Sequence, residues 1–250
     1  RFENADSFLS QCTDKVLVNN AKYLTNRSVD EIIDLFIKKS IQTCEKSTIN
    51  NKNMLFIWKQ FLSDTHLPGI IFHEDFIEKI KIKLNYDLDE KMFLNITSVR
   101  IPVVASFLDF WKKNIEEDTE EPEIEIGEIA CFFKKWSENN FNGVEECYLL
   151  DLIKHFYNEV NIKDDKYLIH IKYKNWDRRQ IIYDCIDLYK HTMNTNNKYC
   201  SSLTHAYTYY LSYEKDKLAI SKHYFETIFK ELYKDYIDDD DIIKQSFFII

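Results

Sequence analysis

The sequence predicts a mainly α-helical fold with a minor β component, arranged as three tandem copies of one unit. Three observations carry this expectation. Glycine and proline number three each in 250 residues, too few for the many tight turns of a sandwich or a barrel. Hydrophobic residues make up 45% and charged residues 30% of the chain, a globular rather than a disordered balance. One order of hydrophobic runs also recurs with a period of about 75 residues.

The first helix of each copy is read in Ile32-Ile-Asp-Leu-Phe-Ile-Lys-Lys, in Phe107-Leu-Asp-Phe-Trp-Lys-Lys and in Cys185-Ile-Asp-Leu-Tyr-Lys-His. A polar gap follows, holding a short segment able to pair as a strand: Ser47-Thr-Ile-Asn, Glu123-Ile-Glu-Ile and Cys200-Ser-Ser-Leu. The second helix is dense in aromatic residues, as in Met54-Leu-Phe-Ile-Trp-Lys-Gln-Phe-Leu, Ile129-Ala-Cys-Phe-Phe-Lys-Lys-Trp and Ala206-Tyr-Thr-Tyr-Tyr-Leu-Ser-Tyr. Phe56, Trp58 and Phe61 share a helical face, as do Phe132, Phe133 and Trp136, so these rings are expected in the core. A third amphipathic run follows at 71–80, 147–156 and 220–229.

After the third helix, the first two copies carry a hairpin signal. In one, Leu84-Asn-Tyr and Met92-Phe-Leu-Asn-Ile-Thr flank Asp87-Leu-Asp-Glu; in the other, Val160-Asn-Ile-Lys and Lys166-Tyr-Leu-Ile-His-Ile-Lys-Tyr flank Asp164-Asp165. Alternation there predicts Tyr167, Ile169, Ile171 and Tyr173 on one half-buried face. In the third copy residues 238–241 read as a helix terminator and tail, with the hairpin missing or lying in the last residues. Helix, strand, helix, helix, strand, wing, strand is the order of a winged helix. The expected division is an N-terminal helical extension at 1–29, winged-helix-like units at 30–100 and 101–176, and a third helical unit at 177–250.

A net charge of −9 favours protein partners, because non-specific affinity for nucleic acid comes from neutralising phosphates. The one stretch that reads as a basic surface lies in the second copy and just beyond it: Lys154, Lys163, Lys166, Arg178 and Arg179. These are the candidate nucleic-acid contacts. Tyr183, Leu188 and Tyr189 fit a loose Tyr-x4-Leu-hydrophobic motif with which translation scaffolds grip the cap-binding initiation factor, and form a candidate protein contact. The acidic run from Glu116 to Glu123 reads as a solvated loop.

Phosphate-cradling Gly-rich loops, GxSxG and HExxH are absent from the sequence, so no catalytic residue, metal or cofactor is expected. The six cysteines include no CxxC pair, and most fall inside hydrophobic helical patterns, which suits a small apolar role in a reducing compartment. No apolar run approaches the roughly 18 residues of a membrane span, so no membrane partner is expected. The chain opens on Arg1-Phe2 without a signal peptide and is expected to be a segment of a longer protein.

The unit resembles the C-terminal region of virus- and phage-type primase–helicases. The third copy carries the resemblance best, in residues 203–213 followed by Ile220-Ser-Lys-His-Tyr-Phe; residues 56–62 and 132–136 follow it. The texture of Phe93-Leu-Asn-Ile-Thr-Ser, Phe107-Leu-Asp-Phe-Trp and Ile124-Glu-Ile-Gly-Glu-Ile is similar to that of long proteins of giant nucleocytoplasmic DNA viruses. The resemblance implies an accessory region that binds nucleic acid or partner subunits near a replication fork, located in the host cytoplasm (viral factory) or the virion. The alternative is a helical interaction scaffold, with viral translation initiation as one setting.

Overall fold

The computed structural model describes residues 10–25, 27–195, 201–213 and 219–249. The chain divides into two compact units, residues 1–105 and 106–250. Both are mainly helical with small antiparallel sheets.

The N-terminal unit opens with α1 (Lys15–Thr25). The Asp14 carboxylate accepts from the amides of Val16 and Leu17 at its start, and Tyr23 and Leu24 lean on the core. Helix α2 (Val29–Ser40) begins with a capping box, in which Ser28 takes the Glu31 amide and the Glu31 side chain returns to the Ser28 amide. Strand β1 (Gln42–Asn50) runs directly into α3 (Asn51–Asp64), where Asn50 caps the amide of Asn53. Helix α4 (His73–Lys83) precedes the hairpin of β2 (Tyr86–Asp87) and β3 (Met92–Thr97). The sheet order is β1-β3-β2, all antiparallel.

One aromatic knot fills this core. Phe36 of α2 meets Trp58, Phe61 and Phe76 edge-on at 5.2, 5.5 and 5.6 Å. Trp58 stacks on Phe76 at 4.5 Å. Edge-to-face contacts add about 0.5–1.5 kcal/mol per pair beyond area burial.

The C-terminal unit holds two successive stretches of helices and short strands, the second with fewer strands than the first. The division of the chain falls within α5 (Ile101–Asn114), which is followed by β4 (Ile115–Glu117), β5 (Glu123–Glu125), α6 (Ile126–Trp136) and α7 (Glu146–Phe156). Then come β6 (Ile162–Lys163), β7 (Tyr167–Ile169) and β8 (Ile171–Tyr173). Here β5-β7-β6 form one sheet and β4-β8 another. Next are α8 (Arg178–Thr195), β9 (Ser201–Ser202), α9 (Leu203–Tyr213), α10 (Lys222–Tyr233) and β10 (Ile242–Ile243). Strand β10 pairs with β9, and Ile243 also bridges Ile237.

Strand β3 is central in the first sheet and β7 in the second three-stranded sheet, while β8 continues past β7 to pair with β4. Backbone irregularities recur as well. Asn95 in β3 and His170 between β7 and β8, about 75 residues apart, are both left-handed, with φ of 55° and 57°. Each interrupts the long ladder at the same place, so the buried positions are Phe93 and Ile96 in one copy and Leu168 and Ile171 in the other. Helices α3 and α6 end alike. The Leu67 amide bonds the Leu62 carbonyl and the Asn139 amide the Lys134 carbonyl, past left-handed His66 and Glu138.

Several expectations need correction. Strict alternation over Tyr167, Ile169, Ile171 and Tyr173 fails, because the left-handed His170 flips the phase and sends Leu168 inward instead of its neighbours. Residues 238–241 are no tail. Asp238 accepts from the amides of Asp240 and Ile242, and Asp241 is left-handed with φ 60°, so they form the tip of the third hairpin. Of the described cysteines Cys185 alone is buried, while Cys131 and Cys147 face outward. Cys200 lies outside the described residues.

Phe36→Ala should cost about 3–5 kcal/mol, because three rings lose their shared partner. A urea titration followed by far-UV circular dichroism measures it; a loss below about 1 kcal/mol would mean the knot closes around the gap.

Candidate interaction site

The most tightly built polar constellation lies inside residues 106–250 and centres on Arg178, the first residue of α8. Its side chain is 1% exposed. Nη2 donates to Glu121 Oε2 at 2.9 Å and to the Glu123 carbonyl, and Nη1 donates to Glu128 Oε2 at 3.2 Å. The guanidinium also lies over the Tyr224 ring, 3.7 Å from its centroid, while the Tyr224 hydroxyl donates to Glu121 Oε2 at 2.6 Å. Glu128 accepts two further bonds, from the Ser221 amide to Oε1 at 2.9 Å and from the Glu125 amide to Oε2 at 3.0 Å. The network thus ties the β4–β5 connection and α6 to the starts of α8 and α10.

The local sequence explains each placement. Glu128 sits at the third position of α6 and closes a capping box with Glu125. Ser221 caps α10 through the Tyr224 amide. Arg178 begins the buried stripe of α8 that continues through Ile182, Cys185, Ile186, Tyr189 and Met193. Burial pushes the Glu128 carboxyl above the ordinary carboxylate range, outweighing the Arg178 cation and the two amides that favour its charged form. Burial likewise raises the Tyr224 hydroxyl. Both groups are held in the interior, tied to fixed partners.

The candidate nucleic-acid residues do not form an open basic face. Lys154 pairs with Asp165 at 2.7 Å, and Lys166 with Glu125 at 3.2 Å. Arg179 grips both oxygens of Glu231 at 3.2 Å and donates to the Glu120 carbonyl. Arg178 is enclosed and presents no face to a phosphate. Lys163, exposed in β6, has no ion-pair partner among the described residues. The acidic run read as a solvated loop contributes Glu121 to the buried network, which corrects that reading.

The candidate partner motif is split. Tyr183 and Leu188 are 46% and 39% exposed, but Tyr189 is buried, bonded to Ser201 and to His205 Nδ1, the latter at 2.8 Å. The three cannot be presented together while α8 is packed.

A groove of about 530 Å³ between α6, the 137–144 turn and α7 is lined by Phe133, Phe141, Leu149, Cys131 and Cys147 among others. Burial, reinforced by Glu145, raises the Cys147 thiol, the reverse of what an activated nucleophile needs. Among the described residues no cluster of three or more His, Cys, Asp or Glu is placed to hold a metal ion, and no helix is long and apolar enough to cross a membrane.

Sequence reasoning missed the Arg178 network because its members stand far apart along the chain, at separations of 50 and 57 residues for Glu128 and Glu121. The available signal was the helical phase of Arg178, which shares a stripe with Ile182 and Ile186. No protein-family model, curated protein or solved structure matches this chain.

Arg178→Met should destabilise residues 106–250 by about 3–5 kcal/mol, since it leaves buried carboxylates without their cation. Arg178→Lys should recover little, lacking the planar fork. Glu128 binds its proton more tightly folded than unfolded. Its contribution is therefore full below the ordinary carboxylate range and is lost as pH rises through the raised value. Urea titrations between about pH 4 and pH 7 should show that slope flattened in Glu128→Gln. An unchanged slope would remove Glu128 as its source.

Proposed function

We propose that the chain is a non-catalytic scaffold of three tandem winged-helix-like units that binds partner proteins. The order helix–strand–helix–helix–strand–turn–strand from α2 to β3, with β3 central, supports the unit assignment, and the two later stretches follow it with differences in their strands. The observation that carries the functional reading is the commitment of the basic residues. Around the second copy, Lys154, Lys166, Arg178 and Arg179 are each held by a carboxylate of the chain itself. A phosphate approaching them meets those carboxylates too. The −9 net charge acts in the same direction. The buried titratable side chains of Glu128 and Tyr224 are committed to interior bonds, which supports a non-catalytic role.

A second reading is an accessory module of a large-DNA-virus replication protein that touches nucleic acid through the second hairpin. Lys163, exposed beside the tight Asp164-Asp165 turn, favours it. The resemblance to primase–helicase C-terminal regions would set either role beside a replication fork, in the viral factory or the virion. A role in translation initiation through Tyr183, Leu188 and Tyr189 would require Tyr189 to leave the core.

Fluorescence anisotropy with labelled duplex and single-stranded DNA, from about 50 to 200 mM salt, separates the two readings. The scaffold reading expects no salt-dependent binding and no effect of Lys163→Glu with Lys166→Glu. Affinity that falls steeply with salt and vanishes in that double variant would replace it with the nucleic-acid reading. Leu188→Ala should leave the fold intact; an unfolded variant would place Leu188 in the core.

A further inference from the structure

We infer that the outward face of α4 and the tip of the β2–β3 hairpin form a docking surface for a basic amphipathic helix of a partner protein. The inference rests on the scaffold reading and names where and what it binds. Three of the most exposed large apolar side chains lie here: Phe72 at the start of α4, Ile82 near its end and Leu88 at the hairpin tip, at 83%, 86% and 77%. Ile82 stands opposite the buried stripe of Phe76, Ile77 and Ile80. At helical spacing it follows Asp75 and Glu78 along the solvent side. Asp87 accepts from the amides of Asp89 and Glu90 at 2.9 and 3.0 Å, a turn that holds Leu88 outward between carboxylates.

Charge determines the occupant. The lysines of α4 are drawn away from the open face: Lys79 reaches Asp30 at 2.9 Å and Lys83 reaches Asp34 at 2.7 Å, both on α2. Lys81 folds onto Glu78 at 2.7 Å. Glu74, Asp75, Asp89 and Glu90 have no ion-pair partner among the described residues. The surface left is apolar points set among these four carboxylates, which outnumber the exposed Lys91 at the hairpin tip. Nucleic acid would be repelled there, whereas a helix carrying Leu or Ile between Lys or Arg satisfies both features. Single exposed apolar residues are ordinary; three on one helix-and-hairpin element, with the α4 lysines withdrawn, suit a binding face.

The test uses the full chain and a fluorescein-labelled helical peptide of leucine and lysine, with a sister peptide carrying glutamate for lysine. The lysine peptide should bind and the glutamate peptide should not. Ile82→Asp, and separately Glu74→Lys with Asp75→Lys, should weaken binding at least about tenfold (about 1.4 kcal/mol), with the thermal melting curve unchanged. Val99→Asp, at another exposed apolar residue of the same unit, should not. Binding that all variants retain overturns this face and leaves the scaffold reading standing. Failure of the lysine peptide to bind also overturns it. Salt-dependent DNA binding in the assay of the preceding subsection overturns the scaffold reading, and this inference falls with it.

Discussion

A guanidinium cannot sit alone in a protein interior, and the way Arg178 is satisfied governs the architecture of residues 106–250. Two carboxylates, a backbone carbonyl and the Tyr224 ring surround it. Those partners come from the β4–β5 connection, α6 and α10, so the ion is solvated only when these elements and α8 stand in one arrangement. Apolar packing tolerates small shifts, but an ion in a low-dielectric setting tolerates far less. The network therefore specifies geometry more than it adds stability, since a well-packed apolar replacement can match such a pair energetically.

The same chemistry shapes the surface. A chain with 33 basic residues is not short of cations, but several on α4, α7 and α8 are turned onto its own carboxylates. Lys79 and Lys83 bind α2, Lys154 binds the neighbouring hairpin turn, and Arg179 binds α10. Each surface pair is worth little in stability. Together they leave a face of mixed charge with projecting apolar residues such as Ile82.

Much of the architecture was legible in the sequence, since hydrophobic periodicity reports which faces are buried. The aromatic helices, the third amphipathic helices and the Asp164-Asp165 turn all lie where their spacing places them. The strand phase around His170 was not legible, because one left-handed residue in an otherwise regular strand leaves no compositional mark. The third hairpin was obscured by its size: two short strands and a bridge fall below any periodicity. At the candidate site, Arg178 and Arg179 read as an exposed basic pair, yet consecutive helical positions point about 100° apart, and one entered the core. Its partners Glu121 and Glu128 sit in segments whose acidic composition suggests solvent.

The Arg178 network should join α6, α8 and α10 into one cooperative body. Native-state hydrogen exchange with increasing denaturant tests it directly. Amides in α6 around Ile129 and Phe133 should converge on the same opening free energy as those in α8 around Ile186 and in α10 around Ile228. Exchange in which α8 and α10 open at a distinctly lower free energy, while α6 and α7 stay protected, would contradict it.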